Sequence, residues 1–344
     1  MPGTLSCLAI ALRTKQLEVE GVTAVRHWRE EHDLAAWDKA LAKLGGNPLQ
    51  SALWGKARHT VDGIPQLLLA SHDDNGEVNG LARVEQRQRI APLVGKIAWL
   101  PKGPVLPDGE ASDAISALGM ELKQRGYIAS ITDRYVISDR EQARQPRTIW
   151  LDLSLGLESL SQALDSQWRY GARRALREGV EVRTSIAGSD VSAFFRLCNA
   201  LSETKGFVLP GSEALMQELV RSSSPDGTVG TTLYVGEVEG VIAGGVLVIR
   251  CGRHLHYLWG ASDRRFSKYR VSEAVHWQII QDGVASGMTR YDLEGIDPAG
   301  NPGVCQFKRK MGGHEVTLQG MEAMPLTWSG HVLVALGRRL GRLA

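Results

Sequence analysis

The sequence predicts a mixed α/β fold in which one α/β unit occurs twice along the chain. Hydrophobic residues make up 43% of the 344 residues, enough to bury a sizeable core. Patterns typical of strands alternate with patterns typical of helices. The same order of two hairpin strands, a third strand, a helix and a fourth strand occurs in both halves. A repeated order of this kind indicates a duplicated unit.

The first half begins with helices and continues with strands. Residues 33–44 place apolar side chains at helical spacing, and a second short helix begins at residues 50–54. A strand at 66–71 then runs into a turn, Asp73-Asp74-Asn75-Gly76, that is typical of hairpins. The remaining elements are strands at 80–86 and 96–100, a helix at 110–125 and a strand at 127–131.

The second half repeats this order after a strand at 147–153 and a helix or helix pair at 159–179. Its elements are strands at 232–237, 241–250 and 254–259, a helix at 271–286 and a strand at 289–293. The alternative to a true repeat is chance similarity between two ordinary α/β stretches. We place the boundary near residue 145, where the chain is polar. This predicts a flexible tail at 1–22, a first domain at 23–145 and a second at 146–344, with the two domains packed together.

Charge and cysteine usage exclude several classes of protein. Forty Lys and Arg residues against 38 Asp and Glu give a net charge of +2, which excludes a chain-wide polyanion binder but allows a local basic face. The four cysteines are scattered and match no disulfide framework or zinc motif, so we expect reduced, buried thiols and no metal. They are Cys7, Cys198, Cys251 and Cys305. No apolar run approaches the roughly 20 residues of a transmembrane helix, and we expect a cytoplasmic protein.

Two basic motifs are candidate binding sites. Arg169, Arg173 and Arg177 fall on one face of the helix predicted at 159–179, where they can neutralise phosphates. The alternative is a solvated face balanced by nearby acids. Phe307 and Lys308, followed by two more cations, come after a glycine-rich loop, and Lys308 can hold a phosphate or stabilise an oxyanion. The alternative is the basic end of a strand.

Two further motifs are less specific. Lys102 lies in a Pro-Lys-Gly-Pro turn, whose prolines fix the path of the loop. It is a candidate for an anionic substrate or a plain exposed lysine. Asp292 and Glu294 alternate at a strand end and therefore share one side. Such a pair serves as an acid/base pair or a metal site, but with no histidine nearby in the motif, loop anchoring is favoured. Motifs of serine hydrolases, P-loop proteins and zinc proteases are missing from the sequence.

Several short segments of the sequence, taken together, resemble the FemABX family of peptidoglycan-bridge aminoacyltransferases, over roughly residues 37–320. The phrases that carry the resemblance are LQSALWG from Leu49, LPKGP from Leu100, RRALREGVEV from Arg173, YLWGAS from Tyr257, YDLEGI from Tyr291, and Phe307-Lys308 followed by Met311-Gly312-Gly313. The resemblance implies two GNAT-like acyltransferase units in tandem. Phe207 to Thr232 is too short for the coiled-coil arm of some members, which indicates the arm-less, FemX-like type.

The resemblance also implies a reaction and its partners. The family moves an amino acid from aminoacyl-tRNA to a side-chain amine of a peptidoglycan precursor, in the process that builds the cell-wall bridge. The donor is a substrate, so no cofactor is implied. The acceptor is a soluble UDP-muropeptide or a lipid-linked precursor, and the latter would bring peripheral contact with the inner face of the membrane.

Site roles follow from the same resemblance. Phe307 and Lys308 take the position of the tRNA 3′ end and reacting ester, and Lys308 stabilises charge there. Other residues implied for substrate are Lys56 or Arg58, Lys205, Tyr257 and Trp259, and the Pro-Lys-Gly-Pro turn adds Lys102. The amine must lose a proton, and either a carboxylate such as Asp292 or the substrate itself could serve as the base. Residues implied for tRNA are Arg169, Arg173, Arg177, Lys268, Arg309 and Lys310. Val208-Leu209-Pro210 stands where members often have a tyrosine, a departure within the acceptor site.

Two other functions fit the same fold. One is an acyl-CoA-dependent N-acyltransferase acting on a polysaccharide precursor or a small amine. Such enzymes hold the CoA pyrophosphate on a glycine-rich turn before a helix, whereas residues 264–270 here contain no glycine. The other is a catalytically degenerate binding module, which the intact Phe307-Lys308 segment disfavours.

Overall fold

A computed structural model describes residues 27–73, 75–87, 95–107, 111–138, 145–223 and 227–340. The flexible tail predicted at 1–22 lies outside the described residues. The described chain forms two mixed sheets with helices on their faces. None of the described helices has the length and apolar character that crossing a bilayer requires.

The first sheet has six strands in the order β1-β2-β3-β4-β5-β13. Its neighbours pair antiparallel, apart from the parallel pair β4 and β5. The strands are β1 Trp28–Glu30, β2 Gln66–His72, β3 Val78–Arg87, β4 Lys96–Leu100, β5 Tyr127–Thr132 and β13 Glu322–Pro325. Its helices are α1 Leu34–Lys43, α2 Ala52–Asp62 and α3 Ala111–Gln124, with α10 Trp328–Arg339 after β13.

The second sheet has seven strands in the order β12-β6-β11-β10-β9-β8-β7. Again a single pair, β10 and β11, is parallel. The strands are β6 Arg147–Asp152, β7 Glu181–Ser185, β8 Val229–Val238, β9 Val241–Cys251, β10 His254–Ser262, β11 Arg290–Asp292 and β12 His314–Thr317. The helices are α4 Gly156–Ala163, α5 Ser166–Arg177, α6 Gly188–Lys205, α7 Glu213–Arg221, α8 Val271–Ala285 and α9 Pro302–Arg309.

The two sheets confirm the predicted repeat. In the first sheet β2, β3, β4, α3 and β5 follow one another, and in the second β8, β9, β10, α8 and β11 do so with the same pairing. In each unit a helix crosses over between the two parallel strands, as parallel pairing requires. Of the helix or helix pair predicted at 159–179, the structure has the pair, α4 and α5. Asp165 separates them and caps α5 by accepting from Gln167 N and Trp168 N.

The halves share their cores, as the predicted packing requires. Trp54 and Ala57 of α2 lie in one apolar cluster with Phe194 of α6 and Leu215 of α7. In another cluster, α1 packs with strands β8 and β9 of the second sheet. The helices α1 and α2 therefore join the two units. Cys198, Cys251 and Cys305 are buried and free, as predicted, whereas Cys7 lies outside the described residues.

Two predictions differ from the structure. The range 146–344 was predicted for the second unit, yet β13 pairs with β5 of the first sheet, through Met324 and Ser130 among others. No strand is predicted at 322–325, because four residues are too few to show a period, and local periodicity does not report which sheet edge a strand completes. The alternative in which Lys308 ends a basic strand is wrong, because residues 302–309 form a helix with Pro302 at its first turn.

The return of α10 to the first sheet generates a stability prediction. Gly330 lies in α10 so close to β5 that an added Cβ would overlap the carbonyl oxygen of Ile128. In an open helix, Gly→Ala stabilises by about 1 kcal/mol. Here we expect Gly330→Ala to lower the free energy of unfolding by about 1–3 kcal/mol, measured by urea denaturation.

The matched control is Gly303→Ala in α9, where an added Cβ meets nothing within 4 Å. We expect this variant to be as stable as the parent protein or slightly more so. A Gly330→Ala protein that gains stability would show that α10 does not pack on β5 in this way.

Candidate active site

A gap opens in the second sheet where its two parallel strands separate. His256 of β10 is the last residue to pair with β11, opposite Asp292. Beyond it, β10 has a bulge between Tyr257 and Trp259, and bulges redirect a strand. The chain after β11 follows β6 instead, where the Leu293 N–H donates to a carbonyl at 2.9 Å. The gap therefore lies at the carboxyl ends of β10 and β11.

Lys308 reaches into this gap from α9. Its Nζ donates to the carbonyl oxygens of Glu294 at 3.2 Å and Gly295 at 2.8 Å. It also lies 5.0 Å from the ring centroid of Tyr257, and Lys308 is only 6% exposed. An ammonium has three N–H donors, so these two bonds leave one donor for a bound oxyanion.

The charge of Lys308 is set by two opposing effects. Burial lowers the pKa of Lys308 to about 8, and the nearby carboxylates of Glu294 and Asp292 limit that fall. With a pKa of about 8, the side chain is mainly a cation near neutral pH. Lys308 therefore combines a positive charge with partial desolvation, which strengthens its interaction with a developing anion.

Asp292 lies fully buried behind the gap and binds four donors. Its side chain accepts from the Tyr135 hydroxyl, the Thr148 hydroxyl, Trp150 Nε1 at 2.9 Å and the backbone N–H of Glu294 at 2.7 Å. Burial, and next the charge of Glu294, raise its pKa. These bonds occupy both carboxylate oxygens and leave no face for a substrate. The structure thus favours the loop-anchoring interpretation over a substrate-binding or base role.

His256, Asp292 and Glu294 form a compact cluster whose ligand-type atoms lie within 4.8 Å of one another. His256 Nδ1 bonds to Glu294 Oε1 at 2.9 Å. Burial raises the pKa of Glu294, but the His256 bond and the charges of Lys102 and Lys308 outweigh it and hold the pKa low. Because Asp292 is already saturated, the cluster is a hydrogen-bonded network rather than a set of open metal ligands.

Sequence reasoning missed His256 and Tyr135. No histidine lies near Asp292 along the chain, whereas His256 lies on the adjacent strand, directly opposite Asp292 in the parallel register. The alternation of His254 and His256 before the YLWGAS phrase was the available signal. Tyr135 lies in the connection after β5, where no periodic pattern marks it.

Phe307 lies beside Lys308 but points into an aromatic cluster of the core. Its ring centroid is 6.0 Å from that of Trp168 and 5.6 Å from that of His276. His276 stacks on Tyr257 at 5.5 Å, and burial lowers the pKa of His276 to about 3, which keeps it neutral. In this structure Phe307 fixes the position of α9, and through it that of Lys308.

Tyr257 and Trp259 line one cavity, as the predicted acceptor channel requires. The cavity has a volume of about 380 Å³ and is also lined by residues 207–210, the segment that departs from the family pattern. Trp259 stacks on Trp54 of the first unit, with ring centroids 6.2 Å apart. Lys205 ends α6, just before this segment. The first unit therefore packs, through Trp54, against a residue that lines this cavity.

The predicted cations of the first unit lie in different settings. Arg58 is held by an ion pair with Asp62, whereas Lys56 on the same helix is exposed. Lys56 is therefore the more available of the two. Lys102 pairs with Asp133 at 3.3 Å, and its charge reaches Glu294 across the units.

The phrases LQSALWG and LPKGP meet in space. The Gln50 side chain donates to the carbonyl oxygen of Pro101 at 2.7 Å and accepts from Arg83 N at 2.7 Å. A Cβ at Gly103 would lie 2.5 Å from the Gln50 side-chain amide, so a larger residue there would displace this amide from its hydrogen bonds. Gln50 thus fixes the turn that carries Lys102.

The predicted tRNA cations divide into paired and exposed groups. Arg309 pairs with Glu315, Lys310 lies 3.6 Å from Asp165, and Arg169 donates to a backbone carbonyl. The members outside these ion pairs and this hydrogen bond are Arg173, Arg177 and Lys268, all of which are exposed. They lie on neighbouring segments, because α5 packs against the short 3₁₀ helix Arg264–Tyr269.

Comparisons with known proteins agree with this geometry. A family profile described as an acetyltransferase (GNAT) domain matches residues 165–309. The chain is 24% identical over 285 residues to the UDP-N-acetylmuramoylpentapeptide-lysine N(6)-alanyltransferase of Weissella viridescens, covering 73% of this chain and 80% of that one. The crystal structure of FemX matches with a TM-score of 0.76 at 17% identity, covering 90% of this chain and 99% of FemX. The chain is therefore similar to FemX and shares its fold.

A third similarity supports the tandem arrangement. A tandem GNAT protein from the clavulanic acid pathway matches with a TM-score of 0.52 at 10% identity, over 88% of this chain and 99% of that one. The chain thus has two GNAT-fold units, as the resemblance in its sequence implied. Lys308 lies within the part that matches the GNAT profile.

The charge balance around Lys308 generates a prediction about its titration. Glu294 is the carboxylate that most raises the pKa of Lys308. We expect Glu294→Gln to remove this effect and to shift the pKa of Lys308 below about 8. An NMR titration of the Lys308 side chain measures the shift.

The matched control is Glu315→Gln, which removes a carboxylate that pairs with Arg309 instead. It is expected to leave the Lys308 titration unchanged. A Lys308 pKa that stays constant or rises in Glu294→Gln would contradict the electrostatic account of the gap.

Proposed function

We propose that the protein transfers an amino acid from aminoacyl-tRNA to a side-chain amine of a peptidoglycan precursor peptide. The observation that carries this proposal is Lys308, a buried cation with one unused N–H donor, held in the gap between β10 and the chain after β11. The relative from Weissella viridescens is named as an alanyltransferase acting on a muramoylpentapeptide lysine. The donor and acceptor are inferred from this chemistry and from that similarity.

The proposed reaction is aminolysis of an ester. The acceptor amine attacks the carbonyl carbon of the aminoacyl ester, forming a tetrahedral intermediate with a negatively charged oxygen. The bond to the ribose oxygen then breaks as the amide forms, and the amine loses a proton. Lys308 stabilises the oxyanion, and the gap aligns the amine with the ester.

The remaining site residues position the reactants. Glu294 and Gly295 hold the Lys308 ammonium through their carbonyl oxygens. Asp292 anchors the chain that carries both of these carbonyls. The cavity at Tyr257 and Trp259 receives the acceptor side chain, and Lys56, Lys102 and Lys205 face its anionic groups.

The surface around the gap favours RNA over CoA as the donor. The segment before α8 is a 3₁₀ helix, Arg264–Tyr269, whose side chains include Arg264, Arg265 and Lys268. A CoA pyrophosphate needs bare backbone N–H groups at this point. Exposed Lys268, together with Arg173 and Arg177 on α5, presents cations for an RNA backbone instead.

Replacing Lys308 tests the catalytic role. We expect Lys308→Met to reduce transfer from radiolabelled aminoacyl-tRNA to a lysine-containing muropeptide by roughly 10²–10³-fold, because one oxyanion donor is lost. Binding of the muropeptide, measured by calorimetry, should persist. The control is Lys43→Met, which removes an exposed lysine of α1. Lys43 pairs with Glu77 and takes no part in the proposed site.

Acetyl-CoA is tested as donor in the same assay. Label that moves only from acetyl-CoA would assign the protein to the acyl-CoA class. Transfer from aminoacyl-tRNA that is equal in Lys308→Met and the parent would refute the role of Lys308. No transfer from either donor, with intact precursor binding, would indicate a binding module.

Reversing exposed charges tests the tRNA surface. We expect Arg173→Glu with Lys268→Glu to weaken tRNA binding by at least about tenfold at low salt, because each cation neutralises a phosphate. The salt dependence of binding should become less steep, as measured by filter binding.

The matched control is Lys39→Glu, a charge reversal at an exposed position of α1. It should leave tRNA affinity close to that of the parent protein. Equal tRNA affinity in the parent, the double variant and Lys39→Glu would show that tRNA does not bind at this surface. An affinity that does not change with salt would contradict binding of tRNA through its phosphates.

A further inference from the structure

The helix α10 carries an exposed apolar stripe. Trp328 is 82% exposed, Val332 and Leu336 are each 53% exposed, and Leu340 is 60% exposed. These residues recur every four positions, so they share one side of the helix. The opposite side, at Gly330 and Val334, is buried on the first sheet.

Positively charged residues accompany the apolar stripe on α10. Its last turn contains exposed Arg338 and Arg339, His331 is exposed near its start, and no acidic residue occurs in residues 328–339. Helices that lie in the interface of a bilayer typically have an apolar face that includes tryptophan, with arginines or lysines next to that face. An anionic lipid surface complements both features.

The size of the stripe disfavours a protein partner. Stable protein interfaces use roughly 20–30 residues on each side, whereas this stripe has three apolar side chains on a helix of 12 residues and a fourth at its C-cap, Leu340. A bilayer requires no matching shape, and one helix is enough for reversible attachment.

We propose that α10 docks the protein on an anionic lipid bilayer. Trp328, Val332, Leu336 and Leu340 insert at the level of the headgroups, and Arg339 contacts lipid phosphates. The helix is tethered to β13 and β5, so docking holds the first sheet against the membrane. If the proposed function holds, this attachment brings the gap to lipid-linked acceptors.

Vesicle co-sedimentation of the full chain tests the docking. The probe is phosphatidylcholine vesicles containing phosphatidylglycerol, compared with phosphatidylcholine alone. We expect binding to the anionic vesicles, weakened at high salt because exposed charges are screened. The double variant Trp328→Gln with Leu336→Gln should weaken it at least about tenfold, and Arg339→Glu should weaken it severalfold.

The control is Ile186→Gln, which changes another highly exposed apolar residue, outside α10. It should bind vesicles as the parent protein does, and thermal unfolding should confirm that all variants are folded. Equal vesicle binding by parent and α10 variants would overturn the proposal. Absence of binding by the parent, or loss of a dimer in the α10 variants during ultracentrifugation, would also overturn it.

This test is independent of the proposed reaction. Transfer to a soluble muropeptide should be unchanged in the α10 variants, because α10 lies outside the gap. Loss of vesicle binding with normal soluble transfer supports docking. Vesicle binding without any transfer would instead leave docking intact and refute the proposed reaction.

Discussion

The burial of the Asp292 carboxylate is the constraint on which the site depends. Placing a charge in the interior costs several kcal/mol unless hydrogen bonds compensate it. Tyr135 supplies one bond from the connection that leaves the first sheet, and Thr148 supplies another from β6. The backbone N–H of Glu294 supplies a further bond. This network directs the chain away from β10, opens the gap and places the two carbonyl oxygens that hold Lys308.

Much of the fold could be predicted because its signals are local. Alternating strand patterns, hairpin turns and helix-ending glycines gave the order of elements in both halves, and the repeat of that order matched the two sheets. The resemblance of short phrases then selected Tyr257 and Lys308. In the structure, the Lys308 Nζ lies 5.0 Å from the ring centroid of Tyr257 at the gap. The resemblance also selected Phe307, whose ring lies in the core beside them.

The parts that could not be predicted depend on distant pairing. Tyr135 and Asp292 are 157 positions apart, and His256 and Glu294 are 38 apart. No periodicity in either segment reports which residue will lie opposite. The same limit applies to β13, for which no strand is predicted from the sequence and which pairs with β5 of the first sheet. A residue's type alone also does not reveal its role. In the structure the Asp292 carboxylate accepts four hydrogen bonds and anchors the chain.

A double-mutant cycle between Tyr135 and Asp292 tests the central claim that both units build one site around this carboxylate. The free energy of unfolding is measured for Tyr135→Phe, Asp292→Asn and the double variant. Groups in direct contact within a buried network couple by about 0.5–3 kcal/mol, and we expect a coupling in the upper part of that range. Additive effects, with a coupling close to zero, would contradict the account and would separate the first unit from the site.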